Sequence, residues 1–347
     1  MNIQSFRNAE ILTLLFLSAF SFQFSAFSQG SLTPPGAPAP TMKSLDQIEA
    51  RTPISAAPFT IINPGSYYLT KNLSVTTGGA ITISADNVTL DLNGFTILST
   101  SATASGTAVL INGNRTNISI SNGHIRGGTT FSAGTFTGAG FLHGINTQNT
   151  PLNVRVSHVS VSGVALNGIY LNRGSTQVHS CTVNIAGGLG IYANTVSDST
   201  ADTCGLGAIT ANTALNCYGI ASTMGNGINA TTATNCYGSS DSATGATALI
   251  INNSWGSSSS GVGVSGQVVT NCLGQSFSNI GLSANNAATN SFGGSNNGAY
   301  GLQVVGTASF CAGSRFGGIA LKAAIAIGCT TFGGIVDPST AKFLGTP

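Results

Sequence analysis

An aliphatic residue, in most cases preceded by glycine, recurs at short and regular intervals through most of this sequence. The aliphatic positions are Ile145, Ile169, Ile191, Ile209, Ile228, Ala246, Val264, Leu282, Leu302 and Ile319. Their steps are 24, 22, 18, 19, 18, 18, 18, 20 and 17 residues. A nearly fixed period of this size is typical of solenoids, in which each repeat forms one coil and packs only on its neighbours. The repeat therefore predicts one elongated domain.

A second series, of small residues, keeps the same period, with steps of 18, 18, 19, 18, 18, 19, 20 and 18 residues. It consists of Cys181, Ser199, Cys217, Cys236, Ser254, Cys272, Ser291, Cys311 and Cys329. Of the seven cysteines only Cys204 falls outside it. Because cysteine and serine exchange at one repeating site, the series indicates a small inward-facing side chain and favours buried free thiols over a disulfide framework.

The residue before each small one forms an asparagine ladder over five coils, Asn216, Asn235, Asn253, Asn271 and Asn290. Asparagine tolerates left-handed backbone angles, and stacked amides can hydrogen-bond between neighbouring coils. The ladder therefore predicts a sharp corner between two strands. One place after the small residues stands a column that we interpret first as a structural stack of mostly aromatic side chains: Tyr218, Tyr237, Trp255, Leu273 and Phe292.

Upstream of Ile145 the spacing is looser, but short runs with alternating apolar residues continue at 80–83, 88–92, 109–111 and 118–121. We expect an all-β fold, a right-handed single-stranded parallel β-helix with coils mostly of 18 to 24 residues. A left-handed β-helix has coils of similar length, but its strict six-residue pattern is absent from the sequence. A calcium β-roll needs an aspartate in every nine-residue repeat, and the sequence from Ile209 to Pro347 contains only Asp241 and Asp337.

The block from Phe59 to Leu98 contains Pro64-Gly65-Ser66-Tyr67-Tyr68-Leu69 and then Asp86-Asn87-Val88-Thr89-Leu90-Asp91-Leu92-Asn93-Gly94-Phe95. It resembles the start of secreted right-handed parallel β-helix proteins of the pectin-lyase-like superfamily, especially a group of exported bacterial proteins with a segment like 42–49. The resemblance covers most of the chain. It implies the fold, but it is a weak guide to activity because one fold hosts many functions.

The first residues have the pattern of a secretory signal peptide: Arg7, an apolar run from Ile11 to Phe22, and small residues at Ala26 and Ser28. That run is too short to span a membrane, which takes about 20 apolar residues. We therefore expect cleavage after Ser28 and a secreted or cell-surface protein with no transmembrane segment. The predicted organisation is a signal peptide at 1–28, a proline-rich linker with a short capping helix from Met42 to Ala50 within 29–58, and the β-helix at 59–347.

Charge is scarce, since only 6% of the residues are charged and the net charge is +2. This is far below the charge of a nucleic-acid-binding surface, so nucleic acid is not expected as a partner. A hydrophobic content of 41% is nevertheless enough to fill an ordered core. The cysteine series lacks the close C-x-x-C or histidine partners of a zinc site, so we predict no metal and no cofactor.

In the pectin-lyase-like fold, sugars lie along the outer face of the first sheet, where the lyases place calcium-binding carboxylates and a basic residue. The residues predicted for that face are neutral: Asn146, Tyr170, Tyr192, Thr210, Asn229, Thr247, Ser265, Ser283, Gln303 and Ala320. Elimination across a uronate needs a base and a cation, and glycosidases need two flanking carboxylates. The sequence therefore predicts no catalytic residue.

Two tyrosines at equivalent sites of neighbouring coils, Tyr170 and Tyr192, are followed on the same face by Asn172 and Asn194. Rings that pack on sugar C–H faces and amides that bind hydroxyls make this a candidate platform for a neutral glycan, although structural stacking also explains it. A group of seven basic residues falls within 56 positions: His124, Arg126, His143, Arg155, His158, Arg173 and His179. These side chains either line one groove or lie in solvated turns. His158 stands at the head of the asparagine-ladder column.

These patterns favour a non-catalytic β-helix scaffold or surface protein that binds neutral extracellular polysaccharide along its first sheet. A divergent polysaccharide lyase or related carbohydrate-active enzyme is the alternative, and it requires a cation–carboxylate cluster formed by the basic group with Asp86 or Asp91. A third hypothesis is an adhesin-like structural protein that self-associates through its end coils.

Overall fold

The computed structural model describes residues 49–343 and 345–347. The chain divides into two compact units, Met1–Ala50 and Arg51–Pro347. Of the first unit only Glu49 and Ala50 are described, and neither lies in a helix or strand. The predicted signal peptide, most of the linker and most of the capping helix therefore lie outside the described residues.

The second unit is a right-handed parallel β-solenoid of about 15 turns, and its described residues form no helix. Threonine, valine and isoleucine alternate along short runs, which favours strands, and glycine- and asparagine-rich turns separate them. Each turn rises by one strand spacing of ~4.8 Å. The predicted all-β right-handed β-helix is confirmed.

The strands of the described residues, in chain order, are β1 (Thr52–Ile54), β2 (Phe59–Ile61), β3 (Gly65–Leu69), β4 (Leu73–Val75), β5 (Ile81–Ile83), β6 (Val88–Asp91), β7 (Thr96–Ser99), β8 (Thr107–Ile111), β9 (Thr116–Arg126), β10 (Thr130–Ser132), β11 (Thr135–Thr137), β12 (His143–Thr147), β13 (Leu152–Val164), β14 (Ile169–Tyr170), β15 (Thr176–His179), β16 (Thr182–Ala186), β17 (Leu189–Tyr192), β18 (Thr195–Ser197), β19 (Thr200–Cys204), β20 (Gly207–Thr210), β21 (Thr213–Leu215), β22 (Tyr218–Ala221), β23 (Ile228–Asn229), β24 (Thr232–Thr234), β25 (Tyr237–Ser240), β26 (Ala246–Asn252), β27 (Trp255–Ser258), β28 (Val264–Thr270), β29 (Leu273–Ser276), β30 (Leu282–Thr289), β31 (Phe292–Ser295), β32 (Tyr300–Ser309), β33 (Ala312–Arg315), β34 (Ile319–Ile327), β35 (Thr330–Phe332), β36 (Ile335–Val336) and β37 (Ala341–Phe343).

These strands stack into three parallel sheets. Sheet A contains β2, β5, β8, β12, β14, β17, β20, β23, the first halves of β26, β28, β30, β32 and β34, and β36. Sheet B contains β1, β3, β6, the first halves of β9 and β13, β15, β18, β21, β24, the second halves of β26, β28, β30, β32 and β34, and β37. Sheet C contains β4, β7, the second halves of β9 and β13, β16, β19, β22, β25, β27, β29, β31, β33 and β35. An antiparallel hairpin, β10–β11, interrupts the early coils.

Strand pairing starts at β1, before the predicted boundary at residue 59. The core lies between the three sheets, where alternate residues of each strand point inward. The largest fully buried side chains, among them Phe141, Ile97 and Leu90, belong to the early coils. Later coils fill the same space mainly with alanine, cysteine and serine.

The asparagine ladder lies at the corner between sheets B and C, and its backbone is left-handed as predicted. The φ angles run from 46° at Asn253 to 53° at Asn235 and Asn271. Amide-to-amide hydrogen bonds link part of the column, such as Asn235 Nδ2 to Asn216 Oδ1 at 3.1 Å. The structure also contains a shorter asparagine ladder that the spacing did not reveal. It lies where successive coils enter sheet B and is formed by Asn87, Asn117 and Asn153.

The cysteine and serine series lies just inside this corner, and every member is buried. Each serine hydroxyl donates to the carbonyl two residues earlier and accepts an amide N–H from the preceding coil. Ser254, for example, donates to the Asn252 carbonyl at 2.7 Å and accepts from Cys236 N at 3.1 Å. The Cys236 thiol donates to the Thr234 carbonyl at 3.3 Å. The predicted small inward column is confirmed, and each of its side chains donates a hydrogen bond to the carbonyl two residues earlier.

All seven cysteines are buried free thiols in this structure. Burial raises the pKa of the Cys181 thiol to about 11 and also raises that of Cys272. In Cys181 and Cys272 burial therefore favours the protonated thiol, which is the form that donates to the corner carbonyls.

The register of the last coil differs from the prediction. Leu302 pairs with Leu321, whereas Ile319 pairs with Tyr300. The prediction slipped by two residues because Ile319 and Leu321 alternate along one strand, and such a slip keeps the same side chains facing inward. As a result Ala320 is buried, and Lys322 takes the outward position beside Gln303.

Candidate functional site

The predicted tyrosine platform lies on the outer face of sheet A. Tyr170 pairs directly with Tyr192 on the next coil, and the ring centroids lie 4.8 Å apart at an interplanar angle of 39°. The guanidinium carbon of Arg173 lies 5.5 Å from the centroid of the Tyr192 ring. Burial, followed by the charge of Tyr192, raises the pKa of Tyr170, so its hydroxyl remains a donor. The two rings therefore contact each other and a cation, which reduces the ring surface left for a ligand.

The two asparagines of the platform take part in local hydrogen bonds. Asn172 has a left-handed backbone with φ of 61° and donates from Nδ2 to the Asn149 carbonyl at 3.1 Å. Asn194 Oδ1 accepts from Asn212 Nδ2 at 2.5 Å. Each amide keeps part of its hydrogen-bonding capacity for a ligand, since an amide has two donor hydrogens and an acceptor oxygen.

The face of sheet A is neutral over most of its length but ends in a charged pair, which corrects the predicted fully neutral face. Lys322 Nζ lies 3.3 Å from the Tyr300 hydroxyl and 3.8 Å from Asp337 Oδ2. The hydrogen bond to Tyr300 raises the pKa of Lys322, and hydrogen bonds from Ser339 lower the pKa of Asp337. Both groups are therefore charged at neutral pH and compensate each other.

The seven basic residues of the predicted group are distributed over several faces. His143 lies in sheet A, Arg173 follows β14, Arg155 lies in sheet B, and His124 and Arg126 lie in sheet C. His143 Nδ1 accepts the Asn167 amide at 3.3 Å, and burial lowers the pKa of His143. A single groove lined by the whole group is therefore not what the structure shows.

The remaining two members of the group, His158 and His179, meet at the corner between sheets B and C. Their ring centroids lie 5.8 Å apart at 84°. His158 has φ of 54° and stands in the column that continues into the asparagine ladder, as predicted.

The carboxylates that the lyase alternative requires have other partners. Asp91 Oδ2 lies 3.1 Å from Arg51, and Asp86 Oδ1 lies 3.8 Å from Arg115. Neither of these ion pairs involves the predicted basic group. Within residues 49–343 and 345–347, no cluster of three or more His, Cys, Asp or Glu side chains is placed to hold a metal ion.

A larger surface feature follows the corner between sheets B and C. It is an open groove of about 980 Å³ that extends over the five ladder coils, about 20 Å along the solenoid axis. We call it the corner groove. Its lining consists of the ladder, the small column and the aromatic column, with no Asp, Glu, Lys, Arg or His: Asn216, Cys217, Tyr218, Asn235, Cys236, Tyr237, Asn253, Ser254, Trp255, Asn271, Cys272, Leu273, Asn290, Ser291, Phe292, Phe310 and Ala312.

The aromatic side chains of the corner groove change orientation along it. Tyr218 and Tyr237 are stacked, with centroids 4.8 Å apart and an interplanar angle of 11°. Trp255 follows at 5.2 Å from Tyr237 and at 89°, so the indole plane is turned across the tyrosine planes. The stacked tyrosines therefore offer a ligand mainly their edges, whereas the 43% exposed indole has a face that is not stacked on Tyr237.

No protein-family model and no curated protein matches this sequence. The fold is similar to that of a tailspike protein, gp49 of Acinetobacter baumannii bacteriophage Fri1, a capsular polysaccharide depolymerase (13% identity, TM-score 0.38, 80% of this chain and 57% of that one). It is also similar to the Dettilon tailspike protein gp208 (12%, 0.36, 85% and 61%) and to the A-module of the mannuronan C-5 epimerase AlgE6 of Azotobacter vinelandii (12%, 0.32, 79% and 91%). The chain thus spans about three fifths of the length of each tailspike. Likeness at these TM-scores does not bear on activity.

The corner groove was not predicted as a site, although its columns were recognised in the sequence. The spacing gives the positions of the ladder and of the aromatic column, but it does not give the tilt of the rings or the depth between them. The one available signal was the combination of an unbroken amide column with aromatic residues two places later on four of its five coils.

Proposed function

We propose that this protein binds a neutral polysaccharide chain in the corner groove. The observation that carries the proposal is a groove about 20 Å long whose lining combines amides and aromatic rings and carries no charged side chain. Apolar ring surface suits the C–H faces of sugars, and amides suit their hydroxyls. A polyanion would find no cation there, and a long groove suits a polymer better than a small molecule.

The tyrosine platform on sheet A is a second contact surface for the same class of ligand. The direct pairing of Tyr170 and Tyr192 supports this platform. The platform is a weaker candidate than the corner groove, because Arg173 contacts the Tyr192 ring and leaves less of it for a ligand. Together with the signal-peptide pattern at 1–28, this favours an exported scaffold or surface protein that acts on the outside of the cell.

The test is affinity electrophoresis of the purified protein through gels that contain neutral or acidic polysaccharides. We compare the double variant Tyr237→Ala/Trp255→Ala in the groove with Tyr170→Ala/Tyr192→Ala on the platform. Phe316→Ala is the matched control, because Phe316 is 91% exposed and lies outside the groove lining.

We expect neutral polymers to retard the protein and the groove variant to bind about tenfold more weakly, the effect of losing two aromatic contacts. The control should bind like the unmodified protein. Loss of retardation in the platform variant alone would move the site to sheet A. Absence of retardation on every neutral polymer would refute glycan binding, and retardation by acidic polymers alone would refute a neutral ligand.

A further inference from the structure

A serine, a histidine and an aspartate meet at the N-terminal end of the ladder corner. Ser180 and Asp198 occupy the two ladder positions before Asn216, and His179 precedes Ser180. The Ser180 hydroxyl lies 3.0 Å from His179 Nε2, and His179 Nδ1 lies 3.2 Å from Asp198 Oδ2. We propose that Ser180, His179 and Asp198 form a Ser–His–Asp catalytic site that hydrolyses carboxylic esters carried by a neutral glycan.

The geometry has the order that nucleophilic catalysis requires. With the ring proton on Nδ1, the imidazole donates to the carboxylate, and Nε2 is free to accept the proton of the serine hydroxyl. The carboxylate is itself held in place, because Asn216 Nδ2 donates to Asp198 Oδ1 at 2.9 Å and leaves Oδ2 for the histidine. A second acceptor, Ser197 Oγ, lies 3.0 Å from Nδ1 and fixes the same edge of the ring.

The backbone conformation of Ser180 supports a functional role for this residue. Ser180 has φ of 50°, a left-handed conformation that serine adopts less readily than the asparagine found at the later ladder positions. The His179 and Asp198 side chains are 51% and 42% exposed, so a polymer has access to the site. His158 stands one coil before Ser180 in the same column, and its ring centroid lies 5.8 Å from that of His179.

The reaction balances with water as the co-reactant. Ser180 Oγ attacks the ester carbonyl as His179 Nε2 takes its proton, and the C–O bond to the sugar then breaks as Nε2 returns that proton to the leaving sugar oxygen. Water next attacks the acyl-serine and gives one proton to Nε2. Cleavage releases a carboxylic acid, and the proton on Nε2 restores the serine hydroxyl.

The substrate class rests on the proposed function. Asn216, the first residue of the corner groove, lies two coils beyond Ser180, about 10 Å along the axis. A neutral glycan in the groove therefore passes the serine if it extends by a few sugar units. The bonds that this site attacks are acyl esters on the hydroxyls of the glycan. A uronate is not the expected sugar, because the described groove lining supplies no cation for its carboxylate.

The first test is labelling of the purified protein with a fluorophosphonate, followed by peptide mass spectrometry. We expect the adduct on Ser180. The second test measures acetate release from an acetylated neutral polysaccharide. The variants are Ser180→Asn and Asp198→Asn, which place in the column the residue it already carries at Asn216 and should therefore keep the fold. Ser239→Ala is the control, since it removes a serine hydroxyl on β25, away from the three residues and outside the lining of the corner groove.

We expect acetate release to fall at least tenfold in both asparagine variants and to be retained in Ser239→Ala. No adduct on Ser180, or acetate release that Ser180→Asn leaves unchanged, would overturn the proposal. Affinity electrophoresis of Ser180→Asn separates the two proposals, because glycan binding should persist when hydrolysis is lost. An adduct on Ser180 in a protein that binds no glycan would support the catalytic site but overturn the proposed substrate class.

Discussion

The early and late coils of this solenoid share the same three sheets but differ in what fills and closes them. In one inward column of sheet B, Leu90 and Ile120 belong to the early coils. Apart from Ile251 and Val269, the later coils carry alanine at the same place: Ala214, Ala233, Ala288, Ala308 and Ala326. Burial of large aliphatic side chains stabilises the early coils. The late coils bury less apolar volume per position and rely more on close backbone packing and on hydrogen bonds at the corners.

Glycine allows close backbone packing in the late coils. Gly256 follows Trp255 in sheet C and points inward, and a Cβ built on it would overlap the carbonyl oxygen of Gly263. The backbones of neighbouring sheets therefore approach more closely there than side chains would allow. One topology is therefore held by side-chain volume at one end and by repeated polar contacts at the other.

The largest expected effect tests the early half of this comparison. Ile120 is fully buried, so Ile120→Ala should lower the free energy of unfolding by about 2–5 kcal/mol through lost burial and a new cavity. Urea denaturation followed by circular dichroism measures it. A loss below about 1 kcal/mol would mean that the early coils do not depend on aliphatic volume.

The next effect tests the late half. Ser254→Ala removes the hydroxyl that joins the Asn252 carbonyl to Cys236 N, and it leaves two buried backbone groups without that partner. We expect a loss of about 1–3 kcal/mol in the free energy of unfolding, measured in the same way. Ser254→Cys is the matched control, since cysteine occupies this position in neighbouring coils, and it should cost less than the alanine variant. Equal costs for the two variants would show that the series needs only small size.

The smallest effect has the opposite sign. Phe310 continues the ladder column with φ of 52° and is 62% exposed, so its side chain gains little from burial and its backbone is strained. Phe310→Asn should raise the free energy of unfolding by about 1 kcal/mol, because asparagine tolerates this conformation better. A lower stability in the variant would show that the Phe310 ring packs on the groove more strongly than its exposure indicates.

The late coils were predictable from the sequence because each column repeats one kind of residue. The asparagine ladder and the cysteine and serine series give the register of sheet C directly, and the structure pairs them coil by coil. The last coil was not predictable in the same way, since Ile319 and Leu321 are both aliphatic residues two positions apart on one strand, and spacing does not choose between them.

The sites were less predictable than the fold because they depend on side-chain direction. Spacing placed Tyr170 beside Tyr192, but it gave no sign that Arg173 lies over one of the rings. In the sequence, His179 was recognised only as a member of the basic group. Its contacts with Ser180 and Asp198 arise from the left-handed corner, and a one-dimensional pattern of charges does not contain that geometry.

The most direct measurement of the central claim is a titration of intrinsic tryptophan emission with a neutral oligosaccharide, because Trp255 is the single tryptophan of the chain and lies in the corner groove. The account predicts a saturable shift in emission that Tyr237→Ala weakens and that Tyr170→Ala/Tyr192→Ala leaves in place. Binding of the same oligosaccharide, detected by calorimetry, with no change in Trp255 emission would contradict it.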